Sequence, residues 1–229
     1  MSRLCIIPAR GGSKRIPGKN IRDFLGKPIL AYSITAALES ELYDRVLVST
    51  DSEVIAEIAR ATGAEVPFMR SAANADDYAS TVDVLREVHD QLAESFTEAC
   101  CLYPTAPLVT AEQLRQAHDL LSSTDADCVL PIVRFGYPIQ RALRRDDAGY
   151  ISLFEPANLA VRSQDLEPAY HDCGMFYVYH PERTLPYGKL LTDKVAAIEL
   201  PETRVQDIDT LEDWRMAELK YQAYSNGWR

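Results

Sequence analysis

Apolar runs of strand length alternate along the chain with segments whose apolar residues recur at helical spacing. Strands are predicted at 4–8, 45–50, 65–68, 99–103, 127–133, 175–179 and 195–200. Helices are predicted at 28–39, at 52–62 before Gly63, at 81–92, from Thr110 with Gln113 in a capping box, and at 211–224. Such alternation from residue 3 to about 133 predicts an α/β fold, with a mainly parallel sheet and helices on both faces.

The regular pattern is interrupted between residues 134 and 170. Three prolines and clustered arginine and aspartate residues break it there. The segment nevertheless keeps apolar side chains, namely Ile139, Leu143, Ile151, Leu153 and Phe154. We therefore expect one domain over residues 1–229, with an inserted lobe at about 134–170.

Composition excludes several classes of protein. The 229 residues include 24 basic and 34 acidic side chains, a net charge of −10, which argues against binding to nucleic acids or anionic membranes. We expect no membrane span and no signal peptide, since no apolar run is long enough for either. The five cysteines are scattered and form no CxxC pair, so we expect core thiols, a reducing compartment and a cytoplasmic location.

Positive charge is concentrated in the loop that follows the first strand. Residues 10–27 contain six basic side chains and one acidic side chain. We expect the N–H groups of Gly11, Gly12 and Ser13 to form an anion-binding nest, since glycine tolerates the positive φ that a nest needs. The residues expected to bind a triphosphate are Arg10, Ser13, Lys14, Lys19 and Asn20, with Lys19 exposed. The spacing matches neither a Walker A loop nor GxGxxG, and the alternative is a solvated basic turn.

Asp207 and Asp209 form an Asp-x-Asp pair just before the last predicted helix. In an extended segment both carboxylates face the same way, and together they suit a hard cation such as Mg²⁺. The alternative for Asp209 is a helix N-cap, because Thr210 and Glu212 complete a plausible capping sequence.

Five blocks in order along the chain, at 6–20, 48–51, 76–81, 104–108 and 206–210, resemble the CMP-N-acetylneuraminate synthetase family. The resemblance implies a Rossmann-like nucleotidyltransferase with a small dimerisation lobe, a homodimer, and binding of CTP and Mg²⁺. It also implies attack of a sugar's anomeric hydroxyl on the α-phosphorus of CTP, with Arg10, Lys19 and Asp209 as catalytic residues. The proton acceptor stays open between Asp209 and a hydroxide held by the metal.

The resemblance extends to the base and the acceptor sugar. Arg70 and Ser80 match positions that contact the cytosine ring, the alternatives being a solvated loop arginine and an N-cap serine. Arg162 matches an arginine that binds the carboxylate of a nonulosonic acid.

Two positions depart from the pattern of the sialate-activating members. His171 stands where they have a second arginine, and Tyr103 where they have a glutamine. Both departures favour a sugar with other substituents, read by Gln140, Arg141 and Tyr170. The alternative for His171 is a packed histidine.

Within the family, blocks at 137–142, 162–166 and 169–177 resemble the subgroup that activates pseudaminic acid for surface glycans or flagellin. Legionaminic, N-acetylneuraminic and 3-deoxy-octulosonic acids are the alternative acceptors. A glycosyltransferase also uses an Asp-x-Asp pair, but there it normally follows a central strand. A non-catalytic nucleotide sensor is the third class considered.

Overall fold

A central sheet flanked by helices organises the chain in a computed structural model that describes residues 2–76 and 79–227. The strands are β1 (Arg3–Pro8), β2 (Asp23–Phe24), β3 (Lys27–Pro28), β4 (Arg45–Ser49), β5 (Glu98–Leu102), β6 (Cys128–Arg134), β7 (Leu143–Arg145), β8 (Ile151–Leu153), β9 (Tyr170–Asp172), β10 (Phe176–Tyr179) and β11 (Val195–Glu199). The α-helices are α1 (Ile29–Glu39), α2 (Glu53–Thr62), α3 (Thr81–Leu92), α4 (Ala111–Ser123), α5 (Pro181–Thr184) and α6 (Leu211–Ser225).

The main sheet has the strand order β11-β6-β10-β5-β1-β4. β1 pairs in parallel with β4 and β5, and β11 pairs in parallel with β6. β10 runs antiparallel between β5 and β6. The predicted α/β class with a mainly parallel sheet is therefore confirmed, and the carboxyl ends of β1, β4 and β5 meet at one edge of the sheet.

β9 and β10 form one interrupted strand along the same side of β6. β9 pairs antiparallel with residues 132–134 of β6, while β10 pairs with residues 128–129. The chain bends between the two, where Gly174 adopts a φ of +62°. This bend, which the apolar pattern did not predict, brings residue 174 to the carboxyl edge of the sheet.

The strand predicted at 65–68 is wrong. Only an isolated bridge joins Glu65 to Leu47 of β4. Pro67 explains the early end, because proline has no N–H to continue a ladder. In contrast, the capping box at Thr110 and Gln113 forms as predicted, and α2 ends before Gly63 as predicted, with Gly63 at a φ of +104°.

The core lies on both faces of the sheet. On β1, Leu4 and Ile6 pack into one apolar cluster, while Cys5 and Ile7 pack into the other. Burial on both faces explains why this strand is a continuous apolar run instead of an alternating one. All five cysteines lie in the described ranges, and each is a buried free thiol, as expected.

A third apolar cluster joins the two ends of the chain. Phe24 of β2 contacts three rings edge-on, with centroid distances of 5.3 Å to Tyr32, 5.6 Å to Trp214 and 5.8 Å to Tyr221. Ile16 of the basic loop and Ile208 of the C-terminal segment are buried in the same cluster. Trp214 and Ala217 of α6 are buried in this cluster and Tyr221 packs against it, whereas Leu211 and Tyr224, which recur at the same helical spacing, are exposed.

The inserted lobe contains the antiparallel hairpin β7–β8 and short 3-10 turns. Its exposed large apolar side chains are Phe135, Tyr137, Ile139, Leu143, Tyr150, Ile151, Phe154, Leu159, Val161 and Tyr170. None of the helices in the two described ranges is both long enough and apolar enough to cross a lipid bilayer.

A buried polar network lies at the start of β5, at the opposite edge of the sheet. The Glu98 carboxylate accepts hydrogen bonds from Arg3 Nε at 2.8 Å and Ser122 Oγ at 2.9 Å, and it lies 2.7 Å from His118 Nδ1. His118 Nε2 lies 3.2 Å from the Tyr43 hydroxyl. A neutral His118 protonated at Nδ1 satisfies all these contacts, donating to Glu98 and accepting from Tyr43.

This network makes stability depend on pH. Burial would raise the pKa of Glu98, but its hydrogen bonds and Arg3 outweigh burial and lower that pKa to about 2. Glu98 therefore stabilises the fold fully above its unfolded-state pKa of about 4.3, and the contribution is lost as the pH falls towards 2. Burial lowers the pKa of His118, so loss of stability on acidification begins below about 6.5.

We expect Glu98→Gln to reduce the free energy of unfolding at pH 7 by about 1–3 kcal/mol, and to reduce its loss between pH 5 and pH 3. Urea titrations at several pH values measure both effects. Glu94→Gln, which removes an exposed carboxylate paired with Arg45, is the matched control and should stay within about 0.5 kcal/mol of wild type. An unchanged pH profile in Glu98→Gln would contradict the assignment.

Candidate active site

The basic loop is tied through its first glycine to the segment that follows β4. The Gly11 N–H donates to Asp51 Oδ1 at 2.7 Å. A Cβ atom at Gly11 would lie 3.1 Å from Cβ of Ser52, so only glycine fits this close approach without a shift. Asn20, which is buried, donates from Nδ2 to the Arg10 carbonyl at 2.9 Å and closes the loop on itself.

The predicted nest at Gly11, Gly12 and Ser13 does not form in this structure. The Gly11 N–H is used by Asp51, and the Ser13 N–H donates to the Gly11 carbonyl at 3.2 Å. Neither Gly11 nor Gly12 has a positive φ; between residues 10 and 20 that conformation belongs to Gly18, at +64°. In this conformation the Gly11 and Ser13 N–H groups are used within the protein, so the loop faces the solvent mainly with the charges of its side chains.

Lys19 was expected to be exposed, and this expectation is wrong. Its side chain is 19% exposed, and Nζ donates to the Ile208 carbonyl at 2.5 Å. Nζ also lies 3.8 Å from Asp209 Oδ1. Burial lowers the pKa of Lys19, while Asp209 and Asp207 act against that shift. The lysine thus joins the N-terminal loop to the C-terminal segment.

The Asp-x-Asp segment alternates as predicted. Ile208 is buried in the third apolar cluster, so the carboxylates of Asp207 and Asp209 both face the other way. The capping alternative for Asp209 is wrong, because Thr210 is the N-cap of α6 and Asp213 completes its capping box. Asp209 instead pairs with Arg15, at 2.7 Å between Oδ2 and Nη1.

One cleft of about 590 Å³ contains both charged groups of the sequence prediction. It opens at the carboxyl ends of β1 and β5, and its walls are Pro8, Arg10, Ser13, Lys14, Arg15, Lys19, Asn20, Tyr103, Pro104, Thr105, Gly174, Asp207 and Asp209. Lys19 of the N-terminal loop and Asp207 of the C-terminal segment therefore line the same cleft.

Asp207 faces Gly174 across the cleft wall. A Cβ atom on Gly174 would lie only 3.2 Å from Cγ of Asp207, so glycine leaves room for the carboxylate. Desolvation by the surrounding protein and the negative charge of Asp209 raise the pKa of Asp207. A cation placed between the two carboxylates would relieve this repulsion.

The donor chemistry at this point fits a hard cation. Two carboxylates on one face are oxygen ligands of the kind Mg²⁺ prefers. No cluster of three or more His, Cys, Asp or Glu side chains able to hold a metal occurs in the described residues. A cation here would therefore need further oxygen ligands from a substrate or water, and Mg²⁺ stays a prediction.

A smaller cavity of about 220 Å³ lies beside the cleft and shares Pro8, Arg10 and Tyr103 with it. Arg70 lines this cavity but is only 7% exposed, so the alternative of a solvated loop arginine is wrong. Its guanidinium donates to Ser49 Oγ at 3.0 Å and to the Ser49 carbonyl, and burial lowers its pKa.

Ser80 is occupied by the cap of α3. Its Oγ accepts from the Asp83 N–H and donates to the Asp83 carboxylate, which is the N-cap alternative of the sequence analysis. The hydroxyl that lines the cavity belongs to Thr81, 3.3 Å from the Tyr103 hydroxyl. The capping-box spacing would have separated the two, because Asp83 lies three residues after Ser80, whereas Val84 lies three residues after Thr81. Asp77 and Tyr78 of the same block lie outside the described residues.

Tyr103 is the one predicted sugar-reading residue that lines the cleft itself. Tyr170 and His171 lie exposed on β9, and His171 packs against Phe135 at 4.8 Å between ring centroids. The packed alternative for His171 is thus partly met, although its ring stays open to solvent.

The remaining sugar-reading predictions lie in the lobe and make contacts there. Gln140 donates to the Glu167 carbonyl at 2.8 Å, and Arg141 donates to carbonyls of residues 158 and 161. Arg162, 73% exposed, pairs with Asp165 at 2.7 Å. Within one chain these three side chains do not line the cleft, because the lobe uses them to fold its own turns.

Comparison with known proteins decides the family. A family model described as cytidylyltransferase matches residues 4–172. The chain belongs to the cytidylyltransferase family. It is therefore an enzyme of the nucleotidyltransferase class, and the cleft at residues 10–20, 207 and 209 is the candidate active site of a family member.

Relatives match over most of the chain. The pseudaminic acid cytidylyltransferase of Campylobacter jejuni (serotype O:2) is 41% identical over 224 residues, which is 96% of this chain and 97% of that protein. The N-acylneuraminate cytidylyltransferase of Streptococcus agalactiae (serotype V) is 32% identical over 216 residues, 93% of this chain and 52% of that protein.

A solved structure of CMP:2-keto-3-deoxy-manno-octonic acid synthetase complexed with CTP superposes with a TM-score of 0.71. The match covers 99% of this chain and 100% of that one at 17% identity. Identity this low shows the fold alone, and the fold is the predicted Rossmann-like nucleotidyltransferase.

We expect Phe24→Leu to increase local opening in the two segments that form the site more than in the central sheet. Loss of the edge-on ring contacts should reduce the free energy of unfolding by about 1–3 kcal/mol. Amide hydrogen exchange should rise together at 16–21 and 205–209, since Ile16 and Ile208 share the cluster. Leu219→Ala, at an exposed position of α6, is the control. Equal changes throughout β5 and the two segments would contradict this linkage.

Proposed function

We propose that this chain transfers cytidine monophosphate from CTP to the anomeric hydroxyl of pseudaminic acid and releases pyrophosphate. The observation that carries the proposal is the meeting of the basic loop with Asp207 and Asp209 in one cleft. The C. jejuni relative, 41% identical over 96% of this chain, supports the choice of sugar.

The basic loop suits the triphosphate of CTP. Arg10, Lys14, Lys19 and Arg15 bring positive charge to one cleft of about 590 Å³. Transfer at phosphorus depends mainly on holding the reacting groups in line and neutralising charge. Because Lys19 is held by the Ile208 carbonyl, its charge is already positioned before the nucleotide arrives.

Asp207 and Asp209 are the residues that would hold Mg²⁺. When bound there, the cation would neutralise charge on the triphosphate and on the departing pyrophosphate. The carboxylates face the cleft because Ile208 between them is buried, so this role needs no rearrangement of the backbone.

The cavity beside the cleft suits the pyrimidine. It holds Arg70, Asn74 and the Thr81 hydroxyl, and it opens to the cleft through Arg10 and Tyr103. Buried Arg70 offers hydrogen-bond donors for the oxygen of cytosine, and Thr81 takes the role that the sequence analysis gave to Ser80. If the base of CTP occupied this cavity, its triphosphate would extend into the cleft beside Arg10 and Lys19.

We further propose a cytoplasmic homodimer. The lobe leaves large apolar side chains exposed, including Tyr150 at 76% and Ile151 at 67%, and such a concentration marks an interaction surface. A second lobe packed against it would cover these side chains. The buried free thiols fit a reducing compartment.

Pyrophosphate release tests the activity. The protein is incubated with CTP, Mg²⁺ and one acceptor from a panel: pseudaminic, legionaminic, N-acetylneuraminic or 3-deoxy-octulosonic acid. We expect release that requires all three components and is fastest with pseudaminic acid. Asp209→Asn should lower kcat at least about 100-fold, with a melting temperature near that of wild type. Release with none of the acceptors would refute the proposal, and faster release with another acid would change the substrate.

The dimer is tested by light scattering after size exclusion. Wild type should have twice the chain mass of 25.7 kDa, and Ile151→Asp should have the mass of one chain. Val54→Asp, at an exposed apolar position of α2 outside the lobe, is the control and should leave the dimer intact. A monomeric wild type would refute the proposed assembly.

A further inference from the structure

Arg15 adds positive charge to the cleft, and it also pairs with one of the two carboxylates there. Its Nη1 lies 2.7 Å from Asp209 Oδ2, and Lys19 Nζ lies 3.8 Å from Asp209 Oδ1. These are the ion pairs of Asp209 in the described part of the chain. One of the two carboxylates suited to a metal is thus held by cations suited to the triphosphate.

The two cations are held with different firmness. Lys19 is 19% exposed and is fixed by its hydrogen bond to the Ile208 carbonyl at 2.5 Å. The Arg15 side chain is 69% exposed, and an exposed ion pair stabilises by only about 0–1 kcal/mol. The next residue, Ile16, is fully buried and anchors the backbone, so the Arg15 side chain can turn away while the loop stays in place.

A triphosphate competes strongly for that guanidinium. It carries several negative charges against the single charge of Asp209, and its oxygens accept the forked hydrogen bonds that arginine donates. Once Arg15 turns to the phosphates, Asp209 loses its closest partner. Its carboxylate is then available beside Asp207, which faces the same cleft.

We propose that Arg15 couples the binding of the nucleotide to the binding of the divalent cation, by holding Asp209 in the free protein and releasing it to the metal when a triphosphate binds. The inference rests on the proposed function. The free protein then binds the cation weakly, the nucleotide complex binds it tightly, and by linkage each ligand strengthens the other.

Binding of Mn²⁺, used as a spectroscopic stand-in for Mg²⁺, tests the coupling without turnover. Mn²⁺ is titrated into the nucleotide-free protein, and electron paramagnetic resonance measures the concentration of free Mn²⁺ at each step. Arg15→Gln should bind Mn²⁺ about two- to fivefold more tightly than wild type, since the competing ion pair is gone. Lys14→Gln removes the same charge from the same cleft and should produce a smaller gain.

The second half of the test uses CTP with a chelator present. Arg15→Gln should bind metal-free CTP about tenfold more weakly in a calorimetric titration, because a forked phosphate contact is lost. In an Asp209→Asn background, the Mn²⁺ gain of Arg15→Gln should fall to that of Lys14→Gln, since no carboxylate remains to be released.

Three results would overturn the coupling. These are an Arg15→Gln gain no larger than that of Lys14→Gln, an excess gain that persists in the Asp209→Asn background, or unchanged affinity for CTP. Wild type that binds no CTP at all would instead overturn the proposed function, and the coupling with it. Arg15 is exposed, so its variant should melt near the wild-type temperature, which the same samples verify.

Discussion

The packing of Phe24 against Tyr32, Trp214 and Tyr221 is the contact on which the rest of the site depends. The basic loop begins near residue 10 and the carboxylates lie beyond residue 200, so no local rule brings them together. Cations crowded into one loop repel each other, and so do two neighbouring carboxylates. Apolar burial, which does not depend on charge, supplies the energy that overcomes this repulsion and holds the opposite charges on facing walls. The attraction between the basic loop and the two carboxylates adds to this packing once the two segments are in place.

Alternation along a short extended segment does the final positioning. Ile208 is buried, and this turns the residues on either side of it towards the cleft. Thr210 then takes the helix cap, which leaves Asp209 outside the helix and its side chain available to cations. If this extended segment shifted by one residue, its two faces would exchange, so that a carboxylate would become buried and Ile208 would become exposed.

Much of the fold could be predicted because burial leaves a period in the sequence. Strands that are covered on both faces appear in the sequence as unbroken apolar runs. Ligands of open α/β sheets bind outside the carboxyl ends of the strands, so the loop after β1 was a candidate site. What could not be predicted involves partners distant in the chain. The Gly11 N–H donates to the carboxylate of Asp51, forty residues later in the chain. Lys19 donates to the carbonyl of Ile208, near the other end of the chain. Which of Ser80 and Thr81 lines the smaller cavity could have been predicted locally, because Ser80 is the N-cap of α3 and its hydroxyl is used in the cap.

The inserted lobe leaves and rejoins the sheet at one point. Arg134 ends β6, and Tyr170, the first residue of β9, pairs with it directly. Residues 135–169 therefore leave the sheet and return to it at one pair of facing residues, Arg134 and Tyr170. A change in the length of this excursion therefore need not alter the register of β6 against β9, which is set by the pairs that Ile132, Val133 and Arg134 form with Asp172, His171 and Tyr170.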